Sequence, residues 1–150
     1  MPFAIEAMHV NVKGAIMPDK RTLERARRDK EEGKSPSTQA GEFVREEIEH
    51  VRKGVHGARS TKQAIAIGLS KARRAGVKLP PPKKGSTSAR TRRSAISAYR
   101  AGQHGKRKTS ARRARATERA LKREPRHAAS RTALSRQAKT SARRRQSRAA

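Results

Sequence analysis

The chain has no cysteine and no tryptophan, a single tyrosine and two phenylalanines. Without thiols there is no disulfide framework, no thiolate nucleophile and no cysteine-ligated zinc, and a reducing compartment suits such a chain. So few aromatics, with 32% hydrophobic against 35% charged residues, leave little material for a large core. No stretch approaches the run of about eighteen apolar residues that a membrane span needs, so no membrane insertion is expected. The opening MPFAIEAMHVNVKGAIM is interrupted by Glu6, His9, Asn11 and Lys13 and lacks both the basic start and the unbroken apolar run of a signal peptide.

Acid is the other scarcity. Twelve Asp and Glu stand against forty Lys and Arg, for a formal net charge of +28. The imbalance is local: residues 1–49 hold nine basic and ten acidic residues, whereas residues 50–150 hold thirty-one and two, with no acid between Glu49 and Glu118. A solvated globular face intersperses the two signs to limit repulsion. A surface this one-sided points to a polyanionic partner, and nucleic acid is the commonest in a cell.

Composition divides the chain into five pieces, all of them helical or irregular, so the expected class is all-α. Residues 1–18 read as an N-terminal extension without pattern, and Met17 serves as well as Met1 for a start. Residues 19–34 form a charged helix capped by Asp19, with Glu24 and Arg28, Arg25 and Asp29, and Arg28 and Glu32 at i,i+4. Its one large apolar residue is Leu23, which predicts a solvated helix. Residues 37–79 form a helical hairpin. In its first helix, capped by Ser37 or Thr38, Val44, Ile48, Val51 and Val55 make one apolar stripe with Phe43 beside it. Its second helix runs from a Ser60 cap with Gln63 three residues on to Gly76, and presents Ala64, Ile65, Ile67, Gly68, Leu69 and Ala72. Gly68 costs about 1 kcal/mol in a helix interior, which predicts a close backbone approach there. Two helices alone are a marginal domain. Either a second copy covers the Ile65, Leu69 and Ala72 face, making a homodimer, or the pair is a loosely packed monomer.

Residues 80–88, with three consecutive prolines, read as an extended linker and basic joint. Residues 89–150 are a low-complexity basic tail with recurring Ser-Ala-Arg units at 88, 110 and 141. In its middle segment Arg112, Arg115, Arg119 and Lys122 line one helical stripe. Like-charge neighbours cost about 0.2–0.5 kcal/mol per pair and there is little to bury, so the tail is expected to be disordered alone and helical when phosphates cancel the repulsion.

For catalysis there is little. His9, His50, His56, His104 and His127 show no ligand-like spacing and read as solvated residues, and Glu42, Glu46, Glu47 and Glu49 read as charges solvating an exposed helix. No nucleophile elbow, phosphate-binding glycine loop or dinucleotide fingerprint occurs. Expected, then, is a protein that is not an enzyme, with no metal, no other cofactor and no small-molecule substrate. Lys53, Arg59 and Lys62 surround the start of the second hairpin helix, where Ser60 either caps its own helix or shares the amides with a phosphate. The Lys53–Ser60 connection is longer than a helix-turn-helix turn, and no recognition helix stands out.

The stretch SPSTQAGEFVREEIEHVRKGVHGARSTKQAIAIGLSKARRAGVKLPPP, residues 35–82, resembles a small bacterial family of unknown function through His56-Gly57, Ser60, Lys62 to Ser70, and Ala72-Arg73. Members are often described as DNA-binding or plasmid-stabilisation-like, and the resemblance implies a bacterial, cytoplasmic protein. The Ala/Arg/Lys tail is similar in composition to linker-histone tails.

Together these readings predict a largely sequence-independent DNA-binding protein of the nucleoid-associated or plasmid-maintenance kind. The residues expected to meet phosphates are Lys53, Arg59, Lys62, Arg73 and Arg74 in the hairpin, and Lys83 and Lys84 in the linker. In the tail they are Arg92, Arg93, Arg100, Lys106, Arg107, Lys108, Arg112, Arg113, Arg115, Arg119, Lys122, Arg143, Arg144 and Arg145. The same cations suit RNA or an acidic protein or anionic surface, but only Tyr99 in the tail could stack on a base, which favours DNA over single-stranded RNA.

Overall fold

The computed structural model describes residues 17–105 and 110–149. Expectations for the first sixteen residues, including His9, and for Lys106, Arg107 and Lys108 fall outside the described residues. The described residues form helices α1 (Lys20–Glu31), α2 (Pro36–Lys53), α3 (Thr61–Arg74), α4 (Ala89–His104), α5 (Ala111–Lys122) and α6 (Arg131–Ala149), with a 3₁₀ turn at His127–Ala129. None of these helices is long and apolar enough to cross a membrane.

Serine starts most of them. Ser35, Ser60, Ser88 and Ser110 each accept the backbone N–H three residues on, and Ser130 does the same for Ala133. A hydroxyl at that position satisfies one of the amides that a helix start leaves open. Two of the three Ser-Ala-Arg units are therefore helix starts, at Ser88 and Ser110. The cap of α2 lies earlier than the expected Ser37 or Thr38: Ser35 fills it and Pro36, with no amide to leave unpaired, occupies the first turn. Gly54, at φ 75°, ends α2 in the left-handed conformation that glycine adopts without strain.

The core is built mainly from alanine: nine of the fourteen buried apolar residues are Ala. Side chains that small hold helices together only if the backbones come close, and they do. At Gly68 a Cβ would sit 2.6 Å from the Cα of Val44, so the expected close approach is the α2–α3 crossing. At Gly57 it would meet the carbonyl oxygen of Glu124 at 1.8 Å, and at Gly102 that of Arg73 at 1.8 Å.

One cluster joins Ala26 of α1, Ala40 and Phe43 of α2, and Ala72 and Val77, with Leu69 and Leu79 packed against it. The other joins Ile48, Val51, Ala58 and Ala64 to Ala128 and Ala129, with Val44 and Leu134 at its edge. Several expectations are corrected by this packing. Residues 37–79 are not a two-helix hairpin by themselves, because α1, α4 and the 3₁₀ turn pack on the α2–α3 pair. Although Leu23 is exposed, α1 buries Thr22, Ala26 and Asp29, and Arg25 pairs with Glu42 of α2 rather than with Asp29. Ala72, expected on a dimer face, is fully buried within this chain.

The region expected to be a coreless tail contains three α-helices and supplies Ala95, Ala98, Leu121, Ala128 and Ala129 to the interior. Apolar residues at these few places let a basic segment dock with most of its described arginines outside. The amides of Gly57 and Ala58 donate to the carbonyls of Leu121 and Pro125 at 2.9 and 3.0 Å, closing the contact through backbone. The polyproline linker is likewise held: the Arg73 guanidinium donates to the carbonyls of Leu79 and Pro80, and Arg92 to that of Pro82.

Two glycines of neighbouring helices should respond oppositely to alanine. Gly68→Ala drives a methyl into backbone and should cost about 1–3 kcal/mol of unfolding free energy. Gly41→Ala in α2, where a Cβ meets nothing within 4 Å, should gain about 0.5–1 kcal/mol. Urea unfolding of both variants checks the pair, and equal destabilisation would contradict the α2–α3 crossing.

Candidate functional site

Two features stand apart from ordinary packing: an ionic cluster inside the fold and a cationic surface outside it.

The cluster begins with sequence spacing. Glu46, Glu47 and His50 lie within one turn of α2, on the side that α3 and the start of α1 cover. Glu46 is 3% exposed, Glu47 0% and His50 9%. The loop after Gly54 returns His56, 2% exposed, and the last turn of α3 contributes Lys71, 6% exposed. The Lys71 ammonium contacts Glu47 Oε1 and lies 3.5 Å from Glu46 Oε1. His56 Nε2 lies 3.1 Å from Glu47 Oε2, and His50 Nδ1 lies 3.7 Å from Glu47 Oε1. The other His50 nitrogen faces Asp19 Oδ2 at 3.8 Å and Glu46 Oε1 at 4.0 Å. Asp19 makes no side-chain cap for α1; its backbone N–H donates to Glu46 Oε2 at 3.2 Å.

Burial disfavours a charged carboxylate, and alone it would push Glu47 up; His50, His56 and Lys71 outweigh it and hold the carboxyl down at about 2. For His56 the order is the same: burial lowers it, but Glu47 and the Gly57 carbonyl prevail and raise it above 6.5. His50 and His56 meet edge to face with ring centroids 5.8 Å apart.

These positions correct two expectations. Glu46 and Glu47 do not solvate an exposed helix, and His50 and His56 are not solvated residues. His104 and His127 are exposed, as expected. The missed signal is Glu47-x-x-His50, an i,i+3 pair that shares one helix face, opposite Lys71 in the next helix. His56 has no such signal, because its loop is placed by contacts with residues 121–125.

The outer feature collects cations from three helices. Arg74 at the end of α3, Arg93 and Arg100 of α4, and Arg113 of α5 line a groove of about 1050 Å³ with His104 and Ser110. All four arginines are exposed. No acid occurs between Glu49 and Glu118, so the sequence around the groove offers none to neutralise it. A smaller hollow of about 450 Å³ gathers Arg52, Arg126, His127 and Arg131 around the start of α6, and none of the three arginines is among the residues singled out from sequence.

Other candidate residues are distributed differently. Arg73 is 7% exposed; burial lowers its pKa below the usual arginine range, and its guanidinium holds the Leu79 and Pro80 carbonyls. Arg92 is half-buried against Pro82, Lys122 pairs with Glu118 at 2.7 Å, and Lys53 with Glu49 at 3.8 Å. Arg59, Lys62, Lys83, Lys84, Arg112, Arg115, Arg119, Arg143, Arg144 and Arg145 are exposed. At the start of α3 Ser60 accepts from the Gln63 amide while Gln63 Oε1 accepts from the Arg59 amide, the capping arrangement.

The ionic cluster sets a pH window. Glu47 has a lowered folded pKa, so its contribution is complete above its ordinary 4.5 and is lost as pH falls toward about 2. His56 has a raised one, so its contribution is complete below 6.5 and is lost as pH rises through the folded value. Urea midpoints measured in EDTA should be highest between pH 4.5 and 6.5 and fall on both sides; a midpoint climbing steadily above pH 6.5 would contradict the cluster. Lys71→Met, which leaves two buried carboxylates short of a cation, should cost about 3–5 kcal/mol at pH 6.

Residues 30–84 are similar to a family of unknown function (DUF6496). The matched stretch takes in α2, α3 and every member of the ionic cluster except Asp19, and ends before α4. No curated protein and no solved structure is significantly similar to the chain.

Proposed function

We propose that the protein binds the phosphate backbone of duplex DNA, without catalysis and largely without regard to base sequence, in a nucleoid-associated or plasmid-maintenance role. The observation that carries this reading is the groove in which Arg74, Arg93, Arg100 and Arg113 converge from three helices. Guanidinium groups donate bidentately to phosphate oxygens, and four exposed ones without acidic neighbours in sequence repel one another until an anion arrives. Helix α5 adds its N-terminus, capped by Ser110, to the rim of the same groove. Exposed arginines on α5 and α6 extend the cationic surface. Such contacts fix affinity and carry no sequence information, in keeping with a sequence in which no recognition helix stands out.

Binding to a DNA duplex should fall with salt. For about ten phosphates contacted, log K against log salt has a slope of about −9. Replacing Arg74, Arg93, Arg100 and Arg113 together by Gln should make that slope shallower by about 3–4 while the helical circular dichroism is retained. Arg73→Gln, by contrast, should lower stability and leave the slope unchanged. A slope near zero for the unaltered protein would overturn the reading, and tighter binding to an RNA duplex of equal length would move it to RNA.

A further inference from the structure

We propose that Glu47, His50 and His56 form a binding site for a divalent transition-metal ion of the zinc class, held by the Glu47 carboxylate, His50 Nδ1 and His56 Nε2. The three side chains bring one ligand atom each to within 4.8 Å of one another, and all three residues are buried. Glu47 Oε2, His50 Nδ1 and His56 Nε2 are buried without a hydrogen bond, while Glu47 Oε1 meets the Lys71 ammonium, so three of the atoms that converge are ones that a fold normally satisfies.

The tautomer sharpens the point. His56 Nδ1 lies 2.8 Å from the Gly57 carbonyl, which can only accept, so Nδ1 carries the hydrogen. In the neutral ring Nε2 is then bare, and its lone pair lies 3.1 Å from Glu47 Oε2. Two lone pairs at that distance repel unless a positive charge lies between them, and either a proton on Nε2, which makes the ion pair with Glu47, or a metal ion that displaces it supplies that charge. Neighbouring ligands on a tetrahedral zinc with bonds of about 2.0–2.1 Å lie roughly 3.3 Å apart. A metal-bound imidazole typically donates its other N–H to a backbone carbonyl or a carboxylate. His56 has the Gly57 carbonyl for this, and the far nitrogen of His50 faces the carboxylates of Asp19 and Glu46.

Charge selects a divalent ion. Asp19, Glu46 and Glu47 bring three negative charges and Lys71 one positive; with both imidazoles neutral, two positive charges balance the group. Lys71 lies between Glu46 and Glu47 and remains paired with Glu46 when the metal takes Glu47. Imidazole and carboxylate without thiolate suit Zn²⁺, Co²⁺ or Ni²⁺ and disfavour Mg²⁺ and Ca²⁺.

The test uses the full chain, stripped with EDTA and titrated with Co²⁺. Expected are visible d–d bands that saturate at one ion per chain and are bleached by Zn²⁺, with Zn²⁺ raising the melting temperature by about 5 °C at a hundredfold excess over its dissociation constant. A chain with His9, His104 and His127 all replaced by Ala should keep the bands, and His56→Gln should lose them. Should His56→Gln fail to fold, the unaltered chain and the triple variant decide. No saturating bands in the unaltered chain, their loss from the triple variant, their persistence in folded His56→Gln, or a melting temperature indifferent to Zn²⁺ would each overturn the site.

Discussion

The fold depends on how two adjacent carboxylates, Glu46 and Glu47, are tolerated inside it. A buried carboxylate is costly unless cations and donors meet it, and breaking such a group by removing one partner costs more than its formation gains. Here the partners come from three separate pieces of chain: Lys71 from α3, His56 from the loop that residues 121–125 brace, and the amide of Asp19 from the start of α1. Each element that docks on α2 therefore brings either an alanine surface or a countercharge. Packing by small apolar residues is weakly directional, and the ionic cluster supplies the register that it lacks.

That division of labour places the cations on the outside. The acid-poor half of the chain does not float free of the acid-rich half; it is fastened by Ala128, Ala129 and Leu121 and by backbone hydrogen bonds at Gly57 and Ala58. Apart from Arg73 and the half-buried Arg92, most of its described arginines face solvent, where α4 and α5 arrange some of them around one groove. Folding and the presentation of charge are thus linked, and removing residues 89–150 would strip the core as well as the basic surface.

Much of this was legible in residues 19–79. Ser60 with Gln63 and Gly76 mark helix ends in the sequence as in the structure, and Gly68 points to the α2–α3 contact because an unfavourable residue inside a helix needs a packing reason. The tail was harder. Low complexity and repulsion between arginines argued for disorder, and the counterargument lay in isolated alanines whose burial depends on partners far along the chain. Composition cannot distinguish Ala98, fully buried, from Ala116, exposed. The buried histidines and glutamates are not legible in sequence for a related reason: charge suggests solvent until the opposing Lys71 and His56, brought in by tertiary contact, are known. Of the cationic groove, sequence gave the residues but not their convergence.

The alanine-built interior has a consequence of its own. A methyl group removes far less hydrocarbon from water than a leucine or phenylalanine side chain, so unfolding this chain exposes little new apolar surface for its length. The heat capacity of unfolding is correspondingly small, and stability varies with temperature along a broad, shallow curve. Cooling weakens such a fold less than one held by large side chains, since the interactions that set its register are electrostatic and backbone-to-backbone rather than hydrophobic.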